Sequence, residues 1–112
     1  MKKIEAIIRP EKVAQVCELL EKVGYSGMMI TELEGHGNQK GIEQKVRGKS
    51  YKIKMMLKVR LEVIVDDNVV NSIAEAICKA ARTGLQGDGK IFIYPIEDAI
   101  RIRTGEHGKI AL

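Results

Sequence analysis

The segment that decides the fold is Leu57–Val65, LKVRLEVIV. Leu57, Val59, Leu61, Val63 and Val65 alternate with Lys58, Arg60 and Glu62. A period of two puts the first set on one face of a β-strand and the second on the other. Such a strand belongs in a sheet with one packed face and one polar face. Downstream, Asp66-Asp67-Asn68 offers side-chain caps for a helix. Val69, Val70, Ile73, Ala76, Ile77 and Ala80 form its apolar stripe, and Gly84 suits its stop. Ile91–Tyr94 reads as the next strand, and Ile100–Arg103 as a short extended segment.

Upstream the pattern repeats. Lys3–Arg9 (KIEAIIR) reads as a strand, and Glu11–Val23 as a helix with Val13, Val16, Cys17 and Leu20 on one stripe. Pro10 suits the helix start, where a missing N–H costs little. Gly24 suits its end. Met28–Leu33 is a further apolar strand. Between it and Leu57, the stretch Gly35–Ser50 (GHGNQKGIEQKVRGKS) has four glycines and no regular period. A connection that long inside a compact domain is usually functional or mobile. The order is βαββαβ, a split pair of βαβ halves. It predicts an α+β, ferredoxin-like fold: a four-stranded antiparallel sheet with two helices on one face. The uncovered face carries Ile7 and other apolar residues, which argues for self-association.

Length and composition set bounds on this reading. At 112 residues the chain is one domain, 1–112, and at 45% hydrophobic it can bury a core. No apolar run approaches the roughly 20 residues of a membrane helix, so direct membrane insertion is not expected. Met1-Lys2-Lys3-Ile4 leads straight into strand pattern, so no signal peptide is expected. Cys17 and Cys78 each fall within a helix without a Cys or His partner at metal-ligand spacing, and read as buried thiols of a cytoplasmic protein. His36 and His107 show no acid–base partner and read as surface residues. A net charge of +4 is mild and compatible with nucleic acid, with an anionic ligand or with neither.

The chemistry-bearing stretch is Thr83–Pro95, TGLQGDGKIFIYP. Gly84 to Lys90 matches G-x-x-x-x-G-K, but Ile91 stands where a phosphate loop needs Ser or Thr. The order is also inverted, because a phosphate loop follows a strand and opens a helix. A hydrolase loop is therefore rejected. Gly87-Asp88-Gly89 can still offer successive backbone N–H groups to an anion, with Lys90 adding charge. On an extended segment Arg101 and Arg103 would project from one face, ready to join a phosphate-sized cationic cluster. The alternatives are a plain turn and a solvated charged tail.

Several motifs in order resemble the PII nitrogen-regulatory signal-transduction family. They are the opening MKKIEAIIRP, G-x-Q-K-G at Gly37, Gln39, Lys40 and Gly41, T-x-x-x-G-D-G-K-I-F-I at Thr83–Ile93, and R-I-R-T-G at Arg101–Gly105. The resemblance implies a homotrimer that senses ATP, ADP and 2-oxoglutarate. It would act on nitrogen-metabolism targets, such as an ammonium transporter or glutamine synthetase, through an effector loop at 37–55. It implies nucleotide contacts at Ile7, Gly27, Met28, Gly35, Gly37, Gln39, Glu62, Ile64, Gly87, Asp88, Gly89, Lys90, Arg101 and Arg103. Gln39 would ligate Mg2+ beside ATP. Arg9, Gln39, Lys40, Gly41 and Lys58 would hold 2-oxoglutarate, and a C-terminal segment would span 101–112. Tyr51 is the candidate modification site, with Ser50 beside it. The chain departs from the family pattern at Met29, Asn38, Val46, Lys49 and Ser50. Arg47, Lys49, Lys52 and Lys54 make the loop base basic, which suits an acidic or carbonyl-lined partner surface.

Two other classes compete with this reading. A ferredoxin-like RNA-binding module would carry an aromatic-rich strand motif, whereas here only Phe92 and Tyr94 alternate. A nucleotide-dependent enzyme would need a nucleophile beside a base, and none stands out. The expectation is a sensor rather than an enzyme, with at most incidental ATP hydrolysis and no nucleic-acid partner.

Overall fold

The computed structural model describes residues 1–25, 27–36, 42–46, 49–53 and 55–112, with side chains described outside 34–56. Among the described residues, six strands occur: β1 (Lys2–Ile8), β2 (Met29–His36), β3 (Ile42–Val46), β4 (Lys49–Ile53), β5 (Met55–Val65) and β6 (Lys90–Pro95). The helices are α1 (Val13–Lys22) and α2 (Val70–Ala81). β2, β5, β1 and β6 form one four-stranded sheet in that order, and every neighbouring pair is antiparallel. This is the ferredoxin-like α+β arrangement that the periodicity predicts.

The core follows from the two periods. Ile4, Ala6 and Ile8 of β1 and Val59, Leu61, Val63 and Val65 of β5 point to one side and are buried. Against them lie Val16 and Leu20 of α1 and Val70, Ile73, Ile77 and Ala81 of α2. Each fully buried aliphatic side chain contributes about 2 kcal/mol of apolar burial, so this doubly patterned sheet–helix seam carries the fold. Leu57 keeps the alternation but is 68% exposed.

Several local expectations need correction. Gly35–Ser50 is not period-free throughout, because β3 and β4 pair there as an antiparallel hairpin, Val46 opposite Lys49. Charged residues and glycines hid the short strands. The carboxylates at 66 and 67 do not cap α2, whose N-cap is Val69 with no side-chain cap bond. They pair instead with Lys109 at 3.4 Å and with the N-terminal amine at 2.9 Å. α2 ends because Arg82 is extended, two residues before Gly84. Cys78 is exposed rather than buried, while Cys17 is half-buried and burial, then Glu21, raises its pKa. Ile100–Arg103 is not a strand. Only a single bridge joins Ile100 to His107, and a turn follows. The picture of Arg101 and Arg103 alternating on one extended face therefore falls. His107 does have a partner: its Nδ1 lies 2.7 Å from Asp98 Oδ2, brought there by the same turn.

Candidate functional site

The face of the sheet away from the helices carries Lys3, Glu5 and Ile7 of β1. Opposite them in register stand Ile64, Glu62 and Arg60 of β5. Lys58 and Glu62 share this face, aligned with Leu33 and Met29 of β2. At its centre lies an ionic cluster: Lys3 and Arg60 approach Glu62 at 3.3 and 3.1 Å, and Arg60 also approaches Glu5. Tyr94 donates to Glu5, and the Lys3 ammonium sits 4.4 Å from the Tyr94 ring centre. That hydrogen bond, then burial and the Glu5 charge, raise the Tyr94 pKa. Among the described residues, Arg60 Nε is the buried side-chain donor without an aligned acceptor. Its closeness to Glu62 is ionic attraction without a directed hydrogen bond.

One end of this face is built around the glycine loop. Gly84, Gly87 and Gly89 all have positive φ. At Gly89 a β-carbon would lie 1.6 Å from the Ile7 carbonyl oxygen, so only glycine lets the loop seat on β1. Asp88 does not point outward. Its carboxylate accepts from the Thr83 hydroxyl, from the Thr83 N–H at 3.0 Å and from the Gly84 N–H at 2.9 Å. It also pairs with Arg9 Nε at 3.1 Å. These bonds, that from the Thr83 hydroxyl foremost, hold its pKa well below the usual carboxylate range.

The two cations beneath the loop bind its carbonyls. Arg9 donates to the Gln86 carbonyl at 2.7 Å, and Lys58 donates to the Gly87 carbonyl. Lys58 is only 7% exposed. Burial, then the Arg9 charge, lowers its pKa, and Glu11 and Asp88 oppose the shift. Lys90, exposed, opens β6 opposite Ile7. Behind the loop, Ile8, Ile77, Ala81, Asp88 and Gly89 help to line a cavity of about 310 Å3.

The opposite end of the sheet is built around the C-terminal segment. Ile96 N–H bonds to the Met1 carbonyl, which brings the chain after β6 to the Lys2–Val65 end. Arg101 pairs with Glu106 at 3.1 Å and donates to the carbonyls of Ile110 and Leu112. Leu112 in turn lines a cavity of about 500 Å3 with Gly24, Gly27, Ile64, Asp66 and Lys109. Arg103 and Ile102 are exposed on the turn.

The sequence-predicted residues thus fall into two groups. Arg9, Lys58, Gly87, Asp88, Gly89 and Lys90 meet at one end. Gly27, Ile64 and Arg101 meet at the other. Lys2 and Ile8 are six positions apart along β1, about 20 Å of strand. One phosphate cannot touch both groups of a single chain. Ile7 and Glu62 lie on the face between them, and Met28 packs against the core. Gly35 pairs with Met56 in the sheet. Gly37, Asn38, Gln39, Lys40 and Gly41 lie outside the described residues, as do Arg47 and Lys54. The backbone of Tyr51 pairs with Gln44, and its side chain lies outside the described set. Thr83 and the Arg9–Asp88 contact went unread in the sequence. A Thr five residues before an Asp, across a glycine turn, is the signal that could have found the first.

Among the described residues, no group of three or more His, Cys, Asp or Glu side chains could hold a metal. No described helix is long and apolar enough to cross a membrane.

Comparison with known proteins agrees over the whole chain. A family model described as nitrogen regulatory protein P-II matches residues 1–106. A nitrogen regulatory protein P-II of Haemophilus influenzae is 52% identical over 112 residues, covering all of both chains. One from Rhodospirillum rubrum is 50% identical with the same full coverage. A nitrogen regulatory protein P-II 2 of Methanothermobacter thermautotrophicus is 48% identical over all of this chain and 97% of its own.

Proposed function

The chain belongs to the nitrogen regulatory protein P-II family and is a signal-transduction regulator of nitrogen metabolism rather than an enzyme; we propose that it works as a homotrimeric sensor of ATP, ADP and 2-oxoglutarate. The observation that carries this reading is the separation of the two groups of candidate residues. The glycine loop offers an anion nest with Lys90 beside it. Arg101, with Gly27 and Ile64, lies at the other end of the same sheet. A nucleotide that uses both must lie between copies, with the loop of one subunit facing the C-terminal turn of the next. A closed ring of such head-to-tail contacts repeats the same cleft at every interface.

The open sheet face suits that assembly. Met29, Phe92 and Tyr94 are 64%, 46% and 41% exposed there, around a partly buried ionic cluster. Covering apolar surface on this scale favours association in a small domain.

The chain's own groups have distinct roles in this reading. Gly87 and Gly89 let the backbone approach phosphate, and Lys90 supplies charge. Arg101 and Arg103 of a second copy add guanidinium donors suited to phosphate oxygens. Mg2+, held by Gln39 and the phosphates, would supply a site for the 2-oxoglutarate carboxylate, with Lys58 and Arg9 as candidate cations for its other carboxylate. The segment at 37–55 would carry the signal to targets such as an ammonium transporter or glutamine synthetase.

Light scattering together with calorimetry tests the reading. The expected result is about three times the 12.5 kDa chain mass, with ATP and ADP competing for one class of site. 2-Oxoglutarate should bind with Mg-ATP and not with Mg-ADP. A monomer that binds neither nucleotide would overturn it.

A further inference from the structure

The Arg9 and Lys58 contacts assign these residues a second task. Arg9 donates to the carbonyl of Gln86, and Lys58 to the carbonyl of Gly87. Every peptide bond described here is trans. In a trans peptide the N–H points opposite the C=O. Holding the Gln86 carbonyl therefore turns the Gly87 N–H away from Arg9. Holding the Gly87 carbonyl turns the Asp88 N–H away from Lys58. Two consecutive donors then face outward, the arrangement an anion nest requires.

We propose that Arg9 and Lys58 are positioning residues for the anion loop, fixing its peptide planes before any ligand arrives. The proposal rests on the nucleotide reading above and adds the origin of the loop's geometry.

Three observations favour positioning over a chance contact. Lys58 is 7% exposed, so its ammonium has exchanged water for that carbonyl. A buried ammonium without a partner would be strongly disfavoured. Arg9 grips the loop twice, at the Gln86 carbonyl and at the Asp88 carboxylate. Asp88 then closes the loop on itself through Thr83 and Gly84. Glycines at 84, 87 and 89, all at positive φ, would otherwise leave this backbone many alternatives.

The test uses the full-length protein and ADP without Mg2+ or 2-oxoglutarate, so that no effector contact contributes. Arg9→Ala and Lys58→Met should each weaken ADP by about fivefold to tenfold, while Arg9→Lys restores most of the loss. In ligand-free protein, the amide resonances of Gly87 and Asp88 should shift in both loss variants. A residue that merely touches ligand would leave them in place. ADP affinity within twofold of wild type in both variants, or unmoved amides in the ligand-free state, overturns the proposal. If Lys58→Met does not fold, Arg9→Ala and Arg9→Lys decide by the same readouts. Failure of wild-type protein to bind ADP would instead overturn the nucleotide reading.

Discussion

The two ends of the sheet are built differently. At the glycine-loop end, Asp88, Arg9 and Lys58 find their partners within the chain and are largely enclosed. At the C-terminal end, Ile100, Ile102, Ile110 and Leu112 are 59%, 99%, 65% and 51% exposed. Arg101 is held there by Glu106 and by carbonyls of the last residues. The first end is closed on itself within the chain. The second keeps exposed apolar surface of the kind that marks interaction sites. The difference teaches that the chain alone finishes one end of the sheet and leaves the other open, as the proposed cleft between copies requires.

The largest expected effect would break the finished half. Gly89→Ala places a β-carbon on the Ile7 carbonyl, at a φ of 98° that side chains rarely adopt. Strain and clash together should cost about 3 kcal/mol or more. Calorimetry should show no measurable ADP binding, and thermal denaturation a clear fall in Tm. Gly24→Ala, at positive φ but in open space, should be milder and leave ADP binding unchanged.

Next comes the loop's charge. Charge-assisted phosphate contacts are worth about 1.5–3 kcal/mol, so Lys90→Ala should weaken ATP and ADP roughly tenfold or more. Tm should change little, since Lys90 is exposed.

Asp88 sharpens the comparison through pH. Its folded pKa is depressed by the Thr83 hydroxyl first, then by backbone N–H groups and Arg9. A depressed carboxylate contributes stability above its unfolded value of about 3.9, and that contribution is lost as pH falls through the folded value. Wild type should therefore exceed Asp88→Asn in stability by a constant margin from neutral pH down to about 4. The margin should shrink only in stronger acid. Thermal denaturation across that range checks it, and a margin that instead grows with acid would contradict the loop's internal bonding.

The smallest effect belongs at the other end. Arg101 and Glu106 are each about a third exposed, and such pairs contribute about 0–1 kcal/mol. Glu106→Gln should leave Tm nearly unchanged and alter ADP affinity by less than about threefold.

Much of this was legible in the chain. The alternation in Leu57–Val65 and the stripe through Val70, Ile73 and Ile77 fixed the sheet, its neighbours and its packed face, because burial selects those periods directly. The glycine cluster with Lys90 marked the loop, because positive φ leaves few residue choices. The hairpin of β3 and β4 was not legible, since five-residue strands interrupted by charge show too little alternation. Nor were the Asp98–His107 pair and the inward turn of Asp88, which depend on turn geometry and on contacts distant in sequence. The separation of Lys90 from Arg101 needed the strand register, since sequence order alone placed them near each other.

Subunit mixing tests the central claim, that the site closes between copies. Lys90→Ala damages only the loop half, and Arg103→Ala only the opposite half. Each variant alone should bind ADP poorly. Co-expressed with different tags and purified as mixed trimers, they should regain wild-type affinity at about one third of sites, wherever an intact loop faces an intact Arg103. Titration of the mixed oligomer that recovers no high-affinity sites would place both halves within one subunit and contradict the account.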